Sequence, residues 1–179
     1  MITLVIGGAA SGKSKFAEEL LLRAASFPRY YIATMQPFDD ECRARIRRHR
    51  QMRAEKYFET VECFVHLEQV CLPQKGAVLL ECMSNLVANE LYSPEGAGDN
   101  TVEYICRGIL HLGSQCKDLV VVSNEVFSGG CEYQGDTRRY MQMLASVNRM
   151  LASWADVVYE VVGGIAVCHK GKEKNNDPV

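Results

Sequence analysis

Residues 7–14 read Gly7-Gly8-Ala9-Ala10-Ser11-Gly12-Lys13-Ser14, the spacing G-x-x-x-x-G-K-S, and nothing else in the chain constrains the fold as strongly. Such a segment forms a phosphate-binding loop only where a strand runs into it and a helix leaves it. Both flanks are present: residues 2–6 read as a short apolar strand and 13–25 as an amphipathic helix. The residue types carry the chemistry. Glycines let backbone N–H groups turn inward around phosphate oxygens. The helix N-terminus adds partial positive charge. Lys13 can reach terminal phosphates, and the Ser14 hydroxyl can join a Mg²⁺ shell. A glycine-rich turn could match the spacing by accident, but the flanking strand and helix argue for a nucleotide site.

The rest of the pattern agrees with that start. Apolar runs at 30–33, 58–61, 78–81, 119–123, 157–162 and 165–168 read as strands. Helical spacing covers 39–53, 84–91, 102–115 and 137–153. Strands alternating with helices predict an α/β fold, a three-layer sandwich of the P-loop NTPase type with a mostly parallel sheet. The runs at 78–80 and 119–122 are continuously apolar, as strands covered on both faces must be. Gly163-Gly164 between the last two runs predicts a hairpin, hence an antiparallel edge strand. Segments 93–100 and 128–136 read as loops. Residues 1–170 are expected to form a single catalytic domain, with 171–179 a polar, disordered tail.

Composition narrows the function. Basic residues number 20 and acidic residues 22, a net charge of −2, which argues against a nucleic-acid partner. A membrane helix needs about 20 apolar residues, and the longest aliphatic runs are far shorter. The N-terminus lacks the features of a secretory signal. Eight cysteines contain no C-x-x-C spacing. The expectation is a reduced, cytoplasmic protein in which Cys82, Cys106 and Cys168 act as small core hydrophobes.

A phosphate loop needs an acid near Mg²⁺ at the end of another core strand. Glu81 and Glu125 both stand at such ends, and Glu81 is favoured because its strand ends directly on it. The second concentration of chemistry is residues 43–53, Arg-Ala-Arg-Ile-Arg-Arg-His-Arg-Gln-Met-Arg, which hold six of the chain's 12 arginines. A single-signed cluster seeks anions, here the phosphates of a bound nucleotide. The alternative is a merely exposed basic face. His49 sits among these arginines, which disfavour imidazolium and keep the ring a neutral nucleophile able to attack phosphorus. His66, His111 and His169 lie apart in sequence and read as ordinary surface or core residues. On these residues alone three readings stand: a nucleotidyl-transferring enzyme using His49, a kinase of another small alcohol with His49 inert, or a non-catalytic nucleotide-binding regulator.

The ordered set is more specific than its parts. Residues 7–14, then Tyr31-Ile32-Ala33-Thr34, Asp40-Glu41, Arg45-Ile46 with His49 and Arg53, Glu62-Cys63, Leu79-Leu80-Glu81-Cys82, Asn85, Asn89, Ser123-Asn124-Glu125-Val126, Asn148 and Ala155-Asp156 resemble one family. It is the bifunctional adenosylcobinamide kinase / adenosylcobinamide-phosphate guanylyltransferase family of cobalamin biosynthesis. The resemblance covers about residues 1–170. Arg48 stands where the family often has His, and Met52-Arg53-Ala54 where it has Gly-Arg-Pro. The resemblance implies a homotrimer, a corrinoid substrate, Mg²⁺, and GTP or ATP. It implies two reactions: phosphorylation of adenosylcobinamide, then transfer of GMP from GTP through a guanylyl-histidine. It also implies the site: His49 as nucleophile, with nucleotide contacts from 7–14, Ala33, Thr34, Met35, Arg50, Gln51, Met52, Arg53, Glu62 and Glu81. Either Glu62 or Glu81 would read the guanine and the other the ribose.

Overall fold

The computed structural model describes residues 1–24, 26–37, 39–54, 56–127 and 133–171, without the side chains at 41, 45, 49, 50 and 52–54. A seven-stranded sheet has the order β3-β2-β4-β5-β1-β6-β7. Its strands are β1 (Ile2–Gly7), β2 (Arg29–Ala33), β3 (Phe58–Glu62), β4 (Ala77–Glu81), β5 (Asp118–Asn124), β6 (Val157–Val162) and β7 (Ile165–Lys170). The first six are parallel and β7 pairs antiparallel with β6. The connecting helices are α1 (Lys13–Arg23), α2 (Asp40–Ala54), α3 (Met83–Tyr92), α4 (Thr101–Gln115) and α5 (Gly135–Trp154). This is the P-loop α/β architecture expected from the alternating pattern. No helix among the described residues is long and apolar enough to cross a membrane.

Side-chain alternation along the strands builds two cores. Leu4, Ile32, Val78, Leu80 and Val121 face α3, α4 and α5. Val5, Tyr31, Leu79, Val120 and Val122 face the other way, onto Ala17 and Leu21 of α1. Helices therefore cover both faces, which explains why the central strands carry no polar alternation. None of the described side chains of α2 belongs to either core. Just after α2, Lys56 pairs with Glu18, a buried carboxylate on α1.

Element boundaries shift from the sequence reading by up to two residues. The helix α1 ends at Arg23, where Arg29 donates from Nη2 to the Leu22 carbonyl at 3.3 Å. Its guanidinium, at the helix's negative end, also stacks on Phe27 at 4.0 Å. The helix α5 starts at Gly135, so the last two residues of the expected 128–136 loop are helical; 128–132 lie outside the described residues, as do 172–179 of the expected tail. Short 3₁₀ turns occupy Leu67–Gln69 and Gly98–Asn100, the second within the expected 93–100 loop.

Candidate active site

The loop between β1 and α1 is closed by its own backbone and propped from outside. The Ser11 N–H donates to the Gly8 carbonyl at 3.3 Å. The Gly164 N–H, in the β6–β7 turn, donates to the Ser11 carbonyl at 2.8 Å. Gly163 and Gly164 have φ of 56° and 83°, the paired positive values that a tight two-residue hairpin demands. A Cβ on Gly7 would stand 2.5 Å from the Val161 carbonyl oxygen, so only glycine fits there. Lys13 is buried and donates from Nζ to the Gly8 carbonyl at 2.9 Å. Burial pulls its pKa down, opposed by Cys82 and Glu81. Burial also pushes the Cys82 thiol up, so at neutral pH the Glu81 carboxylate is the charge Lys13 faces. The Ser11 hydroxyl is buried with no hydrogen-bond partner among the described residues. An orphaned buried donor costs about 1–3 kcal/mol, which an incoming phosphate oxygen would recover.

Beyond Glu81 a cavity of about 290 Å³ opens between the sheet and α2. Strand register builds its floor. Glu62, Ala33 and Glu81 form one row across β3, β2 and β4; Thr60, Tyr31 and Leu79 form the row before it. The two carboxylates thus stand two strand spacings apart, about 10 Å, with a methyl group between them. Tyr31 donates its hydroxyl to Glu81 Oε2 at 3.2 Å, fixing one end of the row. Thr34 closes the back: its Oγ1 accepts the Cys82 N–H at 2.8 Å and lies 2.9 Å from the Cys82 carbonyl. The buried Asn89 amide donates to the Thr34 and Phe64 carbonyls at 2.8 and 2.9 Å, tying two walls to α3. The opposite wall is α2, through Arg43, Ile46 and Arg47. Arg43 is held by Asp40, at 3.0 and 3.2 Å, and by the Pro37 carbonyl at 3.1 Å.

The model of the cobinamide kinase / cobinamide phosphate guanyltransferase family matches residues 3–168. The chain belongs to this family. The bifunctional adenosylcobalamin biosynthesis protein CobU of Salmonella typhimurium is 35% identical over 181 residues, covering 93% of this chain and 98% of that protein. The protein of the same name from Escherichia coli shows the same identity and coverage. CobP of Pseudomonas aeruginosa, another bifunctional adenosylcobalamin biosynthesis protein, is 28% identical, covering 96% of this chain and 99% of its own.

Within this cobinamide kinase / guanyltransferase chain, the expected residues fall into three groups. Residues 7–14 form the loop, and Ala33, Thr34, Met35, Glu62 and Glu81 line the pocket. His49, Arg50, Gln51, Met52 and Arg53 lie on α2; Gln51 is exposed, and the side chains of the other four lie outside the described residues. Of the two candidate acids, Glu81 joins loop and pocket. Glu125 lies against the start of the loop: its backbone N–H donates to the Gly7 carbonyl at 3.0 Å, and its carboxylate accepts the Phe127 N–H at 2.8 Å. Sequence reasoning missed Tyr31, Thr60 and Phe64 as pocket walls; of the anion-seeking arginine cluster 43–53, Arg43 and Arg47 line the cavity, while the side chains of Arg50 and Arg53 lie outside the described residues. Parity with Ala33 and Glu62 would have put Tyr31 and Thr60 on the same face, once strand register was known.

Two readings need correction. Cys106 and Cys168 are only partly buried, and Cys82 sits in the pocket wall with its thiol enclosed; Cys63 is buried, its thiol pushed up to about 12 by burial and the nearby Glu90 and Glu68. Cys168 sits on the edge strand β7, where one flank has no neighbour. His66 is no bystander either. Its N–H donates to Glu90 Oε1 at 2.6 Å, and its ring nitrogens lie 3.1 Å from Glu68 Oε1 and 2.6 Å from the Glu95 carbonyl. The fully buried Glu90 also accepts the Ala97 N–H at 3.0 Å. This knot fastens residues 95–97 to α3 and to the segment leading from the pocket wall.

Proposed function

We infer that this chain carries out both reactions of its family: a nucleoside triphosphate phosphorylates adenosylcobinamide, and GMP from GTP is then transferred to the resulting phosphate. One observation supports a single site for both. Glu81 and Cys82 stand beside Lys13 and also line the pocket, so loop and pocket share a wall. In the kinase step the loop N–H groups and Lys13 hold the β- and γ-phosphates. The acceptor hydroxyl oxygen bonds to the γ-phosphorus as the bond to the β-phosphate oxygen breaks, and the hydroxyl proton passes to a base or water. In the guanylyl step the His49 imidazole bonds to the α-phosphorus and pyrophosphate departs. A phosphate oxygen of the acceptor then attacks the same phosphorus, the P–N bond breaks, and adenosylcobinamide-GDP forms.

Each residue's part follows from its chemistry. A carboxylate such as Glu62 can accept guanine N1–H and N2–H₂ together, which adenine cannot offer; the other carboxylate of the row suits the ribose hydroxyls. Ala33 leaves room for a planar group between them. Ser14 and Glu81 are hard oxygen donors next to the loop, a set that fits Mg²⁺ and would hold it. Bound Mg²⁺ would neutralise charge building on the phosphates. A homotrimer belongs to the same reading, and analytical ultracentrifugation should return three chain masses.

The test is covalent labelling. Incubation with Mg²⁺ and α-labelled GTP should leave acid-labile, alkali-stable label on the polypeptide, and γ-labelled GTP none. His49→Asn should remove the label. Label persisting in that variant refutes the guanylyl-histidine, and a wild type that never labels, with or without the corrinoid, refutes the transferase reading.

A further inference from the structure

The floor of the pocket is acidic. Two carboxylates, Glu62 and Glu81, stand in one row of it. A phosphoryl group is repelled from that row and drawn to cationic walls. Among the described side chains lining the cavity, the cations are on the opposite wall, where Arg43 and Arg47 lie one helical turn apart on α2. They are not equivalent. Arg43 is committed to Asp40 and the Pro37 carbonyl. Arg47 makes no hydrogen bond or ion pair with any described residue, yet it lines the cavity.

We propose that Arg47 forms a second phosphoryl subsite, outside the Gly-rich loop, and so sets the direction in which a ligand enters the pocket. The reasoning rests on the family reading of the site but assigns a role to a residue outside the loop and the expected 50–53 segment. A ligand carrying N–H donors at one end and a phosphoryl group at the other satisfies both walls in one orientation only: donors toward Glu62 and Glu81, phosphoryl toward Arg47. The reverse orientation sets anion against anion. Guanidinium suits this task because it stays charged and its planar fork can hold two phosphate oxygens at once. The phosphoryl group has two possible sources, the α-phosphate of the guanine nucleotide or the monoester of the phosphorylated acceptor. Both present tetrahedral phosphate oxygens to the wall: a singly charged group with two non-bridging oxygens in the triphosphate's α-phosphate, a dianion with three in the monoester.

Two ligand pairs, measured by calorimetry, separate the sources. One is GMP against guanosine, and the other is cobinamide phosphate against cobinamide. Both are run on the Lys13→Ala background so that the loop does not mask the subsite. Within each pair the affinity ratio isolates what the phosphoryl group contributes. Arg47→Gln should cut the ratio about tenfold in the pair whose phosphoryl group Arg47 holds. Collapse in the first pair names the nucleotide as source, and collapse in the second names the acceptor. Ratios unchanged in both pairs overturn the proposal. Arg47 is exposed and has no partner among the described residues, so the variant should keep the parent's melting temperature. The labelling experiment on wild type reports on the family reading separately, so either can fail without the other.

Discussion

The Gly-rich loop and the α2 pocket meet at Glu81, but they are built in opposite ways. The loop is local: eight consecutive residues, closed by a Ser11-to-Gly8 backbone bond and backed by the turn at Gly164. Its lysine is buried and its first glycine has no space for a side chain. The pocket is assembled from β2, β3, β4, α2 and α3, and its α2 wall contributes no described side chain to either core. A phosphate cradle must present several N–H groups at fixed geometry, which a short closed loop does well. On the proposed single-site reading, the pocket serves two reactions on large substrates and needs a wall that does not tie up the core. Loss of the loop should therefore abolish function outright, whereas damage to the pocket should be graded and ligand-specific.

The sharpest way to break that contrast is Lys13→Ala. Both activities should fall together by about 10³-fold, because both triphosphates need the same charge at the same place. Parallel kinase and guanylylation assays decide the matter. A variant that loses one activity and keeps the other would mean that the two reactions do not share the loop.

Asn89→Ala probes the pocket from behind. Its amide donates to the Thr34 and Phe64 carbonyls. Without it, two acceptors at the pocket's back lose their donor, at a cost of about 3 kcal/mol. Denaturant unfolding should show that loss, and the KM for the pocket ligand should rise more than triphosphate affinity falls. Equal losses at loop and pocket would dissolve the distinction between them.

Gly7→Ala tests the loop's packing rather than its charge. The new methyl would meet the Val161 carbonyl oxygen at 2.5 Å and the Ser11 hydroxyl at 2.7 Å. Overpacking of this kind costs about 2 kcal/mol, or some 4–8 °C in Tm for a chain this long. A variant that melts with wild type would show that the β6–β7 hairpin yields and does not prop the loop.

The same contrast explains what the sequence could reveal. The loop was legible because its geometry is written in consecutive residues, and the strands followed because apolar runs and helical periods alternate along the chain. Glu81 is legible as an acid ending a core strand, but Ala33 and Glu62 only through family likeness; nothing local says that three residues from separate strands share one row. Tyr31 and Thr60 stayed hidden because register, not spacing, brings them there. Arg47 was lost among six arginines, since single-signed charge marks a helix without marking the face that meets the cavity. His66 was misread for a related reason: its partners, Glu90 and Glu95, lie 24 and 29 residues away. Cys168 departs from its expected core place because an apolar neighbourhood in sequence does not reveal an edge strand.

The smallest effect belongs to His66, two residues past the pocket wall at Phe64. Burial opposes its charge, but the hydrogen bond to Glu68, the Glu95 carbonyl and the charges of Glu90 and Glu68 outweigh that and raise its pKa. The imidazolium is thus favoured in the folded chain. Its contribution should be complete below the unfolded value of about 6.5 and should vanish as pH climbs through the raised folded value. The side chain is 30% exposed, so solvent screening holds the gain to about 0.5 kcal/mol, or 1–2 °C. Melting curves of wild type and His66→Gln should differ most at pH 5.5 and converge by pH 8.5. A gap that stays constant across that window would mean that the ring holds residues 95–97 as a neutral hydrogen-bonding group. Triphosphate affinity should remain equal in the two proteins throughout, because this knot fastens the pocket side of the molecule and leaves the loop alone.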